Sequence, residues 1–298
     1  MLYLHIANNY SKNMKKLIPL MILASALVAV NGCKTYEFTL DEHIGICGTG
    51  FADVARSCGL DYLEANVTSF LCPEDDDAAF KANCAALEGS LPIYSANGFF
   101  PGSLKVVGPE AETQRAIEYS KTAIRRAAEI GIKVLVLGSS GARSIPEGFP
   151  RDKAQEQFLT LLKGMAPTAE ENGVIVALEP LQKEETNFIN TVREGAGIAR
   201  LAGSPNICVI ADFFHMAREN EDPGAIVESA DKLVHCHIAE KEERTPPGVK
   251  GDDFTPYFKA LKEIHYTGRI SIECGWSDID AQLPVAVKTM KEQINSVK

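Results

Sequence analysis

Beyond residue 40 the chain alternates between two hydrophobic patterns. Short, continuous apolar runs are followed by longer stretches in which apolar residues return every three or four positions. Eight runs stand out, at residues 43–47, 62–65, 91–95, 133–137, 174–178, 207–211, 233–238 and 269–272. Continuous runs of this length suit strands buried on both faces. Between the runs lie helical stretches. Phe158, Leu161, Leu162, Met165 and Ala169 share one face of a helix, and Asn172-Gly173 supplies its stop. Ile117, Ile124 and Ala128 mark a second helix that ends before Gly131. Val287, Met290, Ile294 and Val297 mark the last one, with Pro284 expected in its first turn, where proline is tolerated. Asp222-Pro223 and Asp252-Asp253 read as helix starts.

Strand–helix alternation predicts a parallel sheet. Eight repeats fit a closed (β/α)8 TIM barrel of the α/β class better than an open sheet. No GxGxxG motif follows the first run, so a dinucleotide-binding fold has no support. The expected organisation is a signal region over residues 1–33 and one catalytic barrel domain over residues 34–298.

The signal region rests on a basic pair, Lys15-Lys16, and an apolar stretch over residues 17–30 that is short for a membrane span. Val30-Asn31-Gly32-Cys33 follows and resembles a bacterial lipoprotein signal, in which the cysteine becomes the lipidated first residue. Met14 directly precedes the lysines and reads as the true start. The expected protein is exported, periplasmic, and held to a bacterial membrane by a lipid anchor alone. Of the eight cysteines, Cys208, Cys236 and Cys274 sit in apolar runs and read as small core residues. Cys58, Cys72 and Cys84 leave room for one disulfide, with no pairing assigned.

A net charge of −10 argues against a nucleic-acid partner, because phosphate binding needs a basic face. The chemistry lies at the ends of the runs. Barrel enzymes carry their catalytic residues at the C-terminal ends of the strands. The fifth run ends in Glu179, the sixth in Asp212, the seventh reaches His237, and the eighth ends in Glu273. Three carboxylates on one rim would repel each other and lose solvation. One divalent cation resolves this, Mn²⁺ first, with Mg²⁺, Co²⁺ or Zn²⁺ also suited to three carboxylates and an imidazole. His235 shares side-chain parity with His237 but lies deeper, and reads as support rather than ligand. His215, three residues beyond Asp212, falls in the loop above the rim, where a polar side chain meets substrate.

Four motifs, in this order, resemble the xylose-isomerase-like barrels. They are Leu178-Glu179-Pro180-Leu181, Asp212-Phe213-Phe214-His215-Met216, His235-Cys236-His237 with Glu240 and Arg244, and Ile272-Glu273-Cys274-Gly275-Trp276. The resemblance is strongest for the sugar phosphate isomerase/epimerase group, ketose 3-epimerases among them, and spans residues 43–298. It implies metal ligation by Glu179, Asp212, His237 and Glu273, and substrate contacts at Glu185, His215 and Arg244. The segments Asn97-Gly98-Phe99-Phe100-Pro101 and Gly138-Ser139-Ser140-Gly141-Ala142-Arg143 are similar to this group as well. Gln182-Lys183 departs from it, standing where those epimerases commonly have Asn-Arg. The superfamily also holds a multi-metal endonuclease for abasic DNA. Asn66 and Asn97 end the second and third strands here, and six histidines are too few for its metal cluster.

Glu179 and Glu273 are the expected proton carriers. One removes a proton next to a substrate carbonyl, giving an enediolate, and the other returns it. The substrate is expected to be a neutral sugar, keto-sugar or cyclitol, since no Gly-rich phosphate loop opens a helix after strands seven and eight. Two rivals stay open on sequence alone: a lyase or dehydratase working through the same enediolate, and a lipid-anchored sugar-binding protein without catalysis. A homo-oligomer is compatible with either.

Overall fold

The computed structural model describes residues 36–298, so the expected signal region and Cys33 lie outside the described residues. Eight strands close into a parallel barrel in sequence order. They are β1 (Ile44–Cys47), β2 (Tyr62–Asn66), β3 (Ile93–Asn97), β4 (Val134–Leu137), β5 (Ile175–Leu178), β6 (Ile207–Asp212), β7 (Leu233–Ile238) and β8 (Arg269–Ile272). The last strand pairs with the first through Ile44–Ile270, Gly45–Ser271 and Ile46–Ile272.

Two strands differ from the expected runs. β3 begins two residues later than the run at 91–95 and continues to Asn97. Pro92 has no N–H to give a ladder, and only its carbonyl is used, by the amide of Leu63 at 2.9 Å. β6 extends through Asp212, which therefore belongs to the strand.

Helices cover the outside. Arg151–Asn172 buries Ala154, Phe158, Leu161, Leu162, Met165, Ala166 and Ala169, and ends at Gly173 with φ 63°, the left-handed cap that glycine adopts without strain. Thr113–Glu129 packs beside it. In the last helix, Ile279–Ser296, Pro284 sits in the second turn rather than the first. Asp278 starts that helix early by accepting the N–H of Ala281 at 3.1 Å. All seven described cysteines are free thiols, so the disulfide considered among Cys58, Cys72 and Cys84 does not form. Cys208 and Cys236 are buried as expected, whereas Cys274 is only partly so, because β8 ends two residues before it.

The interior of the barrel is polar in its middle layer. Tyr62, Glu64, Ser95, His235, His237 and Ser271 are all buried there. Gly45 makes room: a Cβ at that position would lie 2.3 Å from the Tyr62 ring. Apolar residues fill the space between sheet and helices. This arrangement leaves the C-terminal rim as the place where polar side chains meet solvent.

Candidate metal centre

The rim assembles from the strand ends. Glu179 directly follows β5, Asp212 ends β6, His237 lies in β7, and Glu273 directly follows β8. One donor atom from each of the four falls within 4.8 Å of all the others. Glu179, Asp212 and His237 are buried, and Glu273 is partly exposed.

Each side chain is aimed by a specific contact. Asp212 uses Oδ1 to cap the short helix Phe213–Arg218, accepting the N–H of Phe214 at 2.8 Å. That leaves Oδ2 toward the rim, 3.0 Å from the Arg244 guanidinium. Glu179 lies against Gly138, where a Cβ would stand 2.2 Å from its Oε2. Glu273 receives the Asn97 amide on Oε1 at 2.8 Å and Arg244 on Oε2 at 2.5 Å.

His237 sits between two sets of carboxylates. Its Nδ1 is 3.0 Å from Glu179 Oε1 and 2.9 Å from Glu273 Oε2. Its Nε2 is 2.9 Å from Glu64 Oε1. With the Nε2 proton donated to Glu64, loss of the Nδ1 proton to an arriving cation would leave that nitrogen's lone pair facing Glu179 and Glu273. A carboxylate behind a histidine in this way fixes the tautomer of a metal-binding ring.

Glu64 is the hub beneath the rim, and sequence reasoning missed it. It is fully buried and takes hydrogen bonds from Ser95 at 2.7 Å and Ser271 at 2.6 Å, besides the contact of His235 Nε2 at 3.0 Å. The signal was available: an acidic residue inside an apolar run buried on both faces must have partners. His235 is fully buried in contact with Glu64, so it lies behind the rim, as its parity with His237 suggested.

Burial and charge act against each other here. Burial raises the pKa of Glu64, but the charge of His237 and hydrogen bonds from both histidines hold it well below the usual range. Burial lowers that of His237, and the charges of Glu64 and Glu273 lift it well above its ordinary value. Burial and then the Glu273 charge push Glu179 up. Glu273 is held down at about 2: burial opposes this, and His237 and Arg244 outweigh it.

This donor set fits a divalent cation. Three carboxylates and one imidazole converge, the histidine has a carboxylate behind it, and the ligand-bearing strands are fixed in the barrel.

The adjoining cavity measures about 260 Å³. Glu185, His215 and Arg244, the residues for which the resemblance implied substrate contacts, are among those that line it. The amide of Gln182 donates to His215 Nδ1 at 3.2 Å, so the neutral ring carries its proton on Nε2, 3.5 Å from Asp212 Oδ2. The Gln182 side chain holds Glu185 at 2.9 Å. Arg244 lies over the Phe214 ring at 4.8 Å and donates Nε to the Glu273 carbonyl at 3.1 Å. The opposite wall is uncharged, built from Asn66, Asn97, Ser139 and Ser140. Neither Asn66 nor the serines carried a role in the sequence reading, because uncharged polar residues at strand ends and in loops give no chemical signal of their own.

The family model for xylose isomerase-like TIM barrels matches residues 52–294. An L-ribulose 3-epimerase of Mesorhizobium japonicum is 31% identical over 75% of this chain and 74% of the relative. A 3-dehydro-D-guloside 4-epimerase of Escherichia coli is 27% identical over 65% of this chain and 76% of its own length. A solved structure of L-ribulose 3-epimerase superposes with a TM-score of 0.73 at 24% identity, covering 86% of this chain and 95% of that one.

Proposed function

The chain belongs to the xylose isomerase-like TIM barrel family, and from that premise we propose that it is a divalent-metal-dependent sugar epimerase. Its substrate is a neutral keto-sugar, and it inverts the carbon next to the carbonyl. The names of the two relatives carry different numbers but one chemistry. The E. coli enzyme acts at carbon 4 of a 3-dehydro sugar, beside the oxidised position. The other is a 3-epimerase of a ketose. Both kinds of reaction need an acidic C–H beside a carbonyl and a proton returned to the other face.

The observation that carries the reading is the placement of Glu179 and Glu273, 3.0 and 2.9 Å from the same nitrogen of His237 on strands three apart. A divalent cation, Mn²⁺ by preference, held by Glu179, Asp212, His237 and Glu273 supplies Lewis-acid polarisation of the substrate carbonyl. The two glutamates do the proton work. One carboxylate takes the proton from the carbon beside the carbonyl, leaving an enediolate, and the other delivers a proton to the opposite face. His215 offers its Nε2–H, and Glu185 and Arg244 orient the substrate hydroxyls. The cation Arg244 is committed to Asp212 and Glu273, and the facing wall is neutral, which favours an uncharged sugar over a phosphorylated one.

For targeting, we propose export with lipidation at Cys33, on the strength of Lys15-Lys16 and the apolar stretch that follows. The functional reading is tested by incubating the Mn²⁺-loaded protein with free ketoses, keto-glycosides and inososes and identifying products by NMR. An epimer at the carbon beside the carbonyl supports it. An aldose product or an eliminated product overturns it in favour of an isomerase or a lyase.

A further inference from the structure

Among the buried side chains, Arg143 is the largest that is fully enclosed, and no step of the proposed reaction uses it. Its guanidinium makes three hydrogen bonds, all to peptide carbonyls. Nε donates to Gly138 at 2.5 Å, one terminal nitrogen to Phe188 at 2.9 Å, and the other to Glu179 at 2.7 Å. None of the ion pairs among the described residues involves it. A buried cation without an anion in contact is costly, and a shape-matched apolar side chain would avoid that cost.

The three carbonyls explain its presence. Gly138 follows β4, Glu179 follows β5, and Phe188 closes the segment that carries Glu185. Ile189, next to Phe188, has φ 64°, a left-handed conformation that a β-branched residue holds only when its surroundings enforce it. The same two residues that Arg143 grips by their carbonyls, Gly138 and Glu179, also meet through the Glu179 carboxylate, which lies where a Cβ of Gly138 would stand. The backbone and the side chain of Glu179 are thus both fixed against the end of β4. Glu179, Glu194 and Glu185 are near enough to favour the charged guanidinium, although burial brings its pKa down to about 10.

We propose that Arg143 is a positioning residue of the metal centre: its three-pronged grip sets the backbone of Glu179 and ties that ligand to the segment bearing Glu185. The proposal rests on the reading of Glu179 as a metal ligand. It depends on the planar fork of arginine, because a lysine ammonium is a single point that cannot serve three separated carbonyls.

A control exists within the chain. Arg126 is also buried and also joins backbone carbonyls, those of Leu71, Cys72 and Asp75, but it touches none of the four rim residues, is not among the residues lining the cavity, and pairs with Asp77. The test measures Mn²⁺ affinity directly, from the electron paramagnetic resonance signal of free Mn²⁺, for wild type, Arg143→Lys, Arg143→Met and Arg126→Lys. All measurements are made well below the melting temperature of each protein. The expected result is a dissociation constant raised about 10-fold or more in both Arg143 variants, the scale seen when support behind a ligand is lost, with Arg126→Lys unchanged. Should Arg143→Met fail to fold, Arg143→Lys carries the test. Wild-type affinity in Arg143→Lys, or an equal loss in Arg126→Lys, overturns the proposal. A wild-type protein that binds no Mn²⁺ overturns the metal-centre reading itself.

Discussion

Glu64 Oε1 lies 2.9 Å from His237 Nε2, so a carboxylate from the second strand stands behind the imidazole that faces the rim from the seventh. The pair is fully enclosed. It orients the ring and adds basicity to the nitrogen on the other side.

Replacing Glu64 with glutamine keeps the volume and removes the charge. Metal affinity is expected to fall about 10- to 100-fold, measured by competition with a chelator of known affinity. An affinity within twofold of wild type would remove Glu64 from the account.

Removing a ligand outright should act more strongly. Asp212→Ala and His237→Ala are each expected to lose stoichiometric metal. In the wild type, excess Mn²⁺ should raise the melting temperature, because it binds the folded state alone, and chelation should reverse the rise. Equal melting curves with and without Mn²⁺ would contradict this.

Much of this site was legible in the chain. Glu179, Asp212 and Glu273 stand at the ends of apolar runs and His237 one residue before the end of its own, and the rule that barrel chemistry sits at strand ends is enough to bring them together. Glu64 was passed over because it sits inside its run rather than at the end, where a single charge looks like noise. The role of Arg143 was invisible for a different reason: its partners are backbone carbonyls, and a sequence carries no record of which carbonyls are left to satisfy. Pro284 was misplaced by one turn because the cap at Asp278 lies upstream of the apolar periodicity.

Gly138→Ala tests how closely the rim is packed. The added methyl would stand 2.2 Å from Glu179 Oε2, so the carboxylate must move. Displacement of a reacting group by about 1 Å costs roughly 10²-fold in rate. A variant with wild-type turnover and wild-type metal affinity would show that Glu179 has another acceptable position.

The loop after β7 provides a pH signature. Glu240 is fully buried and accepts the N–H groups of Gly248, Lys250 and Gly251 and the hydroxyl of Thr245. Burial pushes its pKa up, yet those donors hold it below its ordinary value. The stability it contributes is therefore present above the unfolded value of about 4.3 and is lost as pH falls through the lower folded value. The melting temperature of Glu240→Gln should fall short of wild type most at neutral pH, with the gap closing in acid. A gap that stays constant through that window would contradict the assignment.

Cys33→Ala is expected to release the protein from membranes of its native host. An unmodified N-terminus upstream of residue 17, found by mass spectrometry, would rule out the lipoprotein proposal.

The two-carboxylate reaction is tested most directly by deuterium wash-in from D₂O, followed by NMR, with a ketose that the Mn²⁺-loaded wild type epimerises. Glu179→Gln and Glu273→Gln are compared under the same conditions. Each substitution leaves an oxygen for the cation but no basic carboxylate, so each should cut turnover about 10²-fold or more. The variant that keeps the proton-removing carboxylate is expected to exchange the substrate proton while forming no epimer. If either protein binds Mn²⁺ normally and epimerises at near the wild-type rate, Glu179 and Glu273 are not the pair that moves the proton.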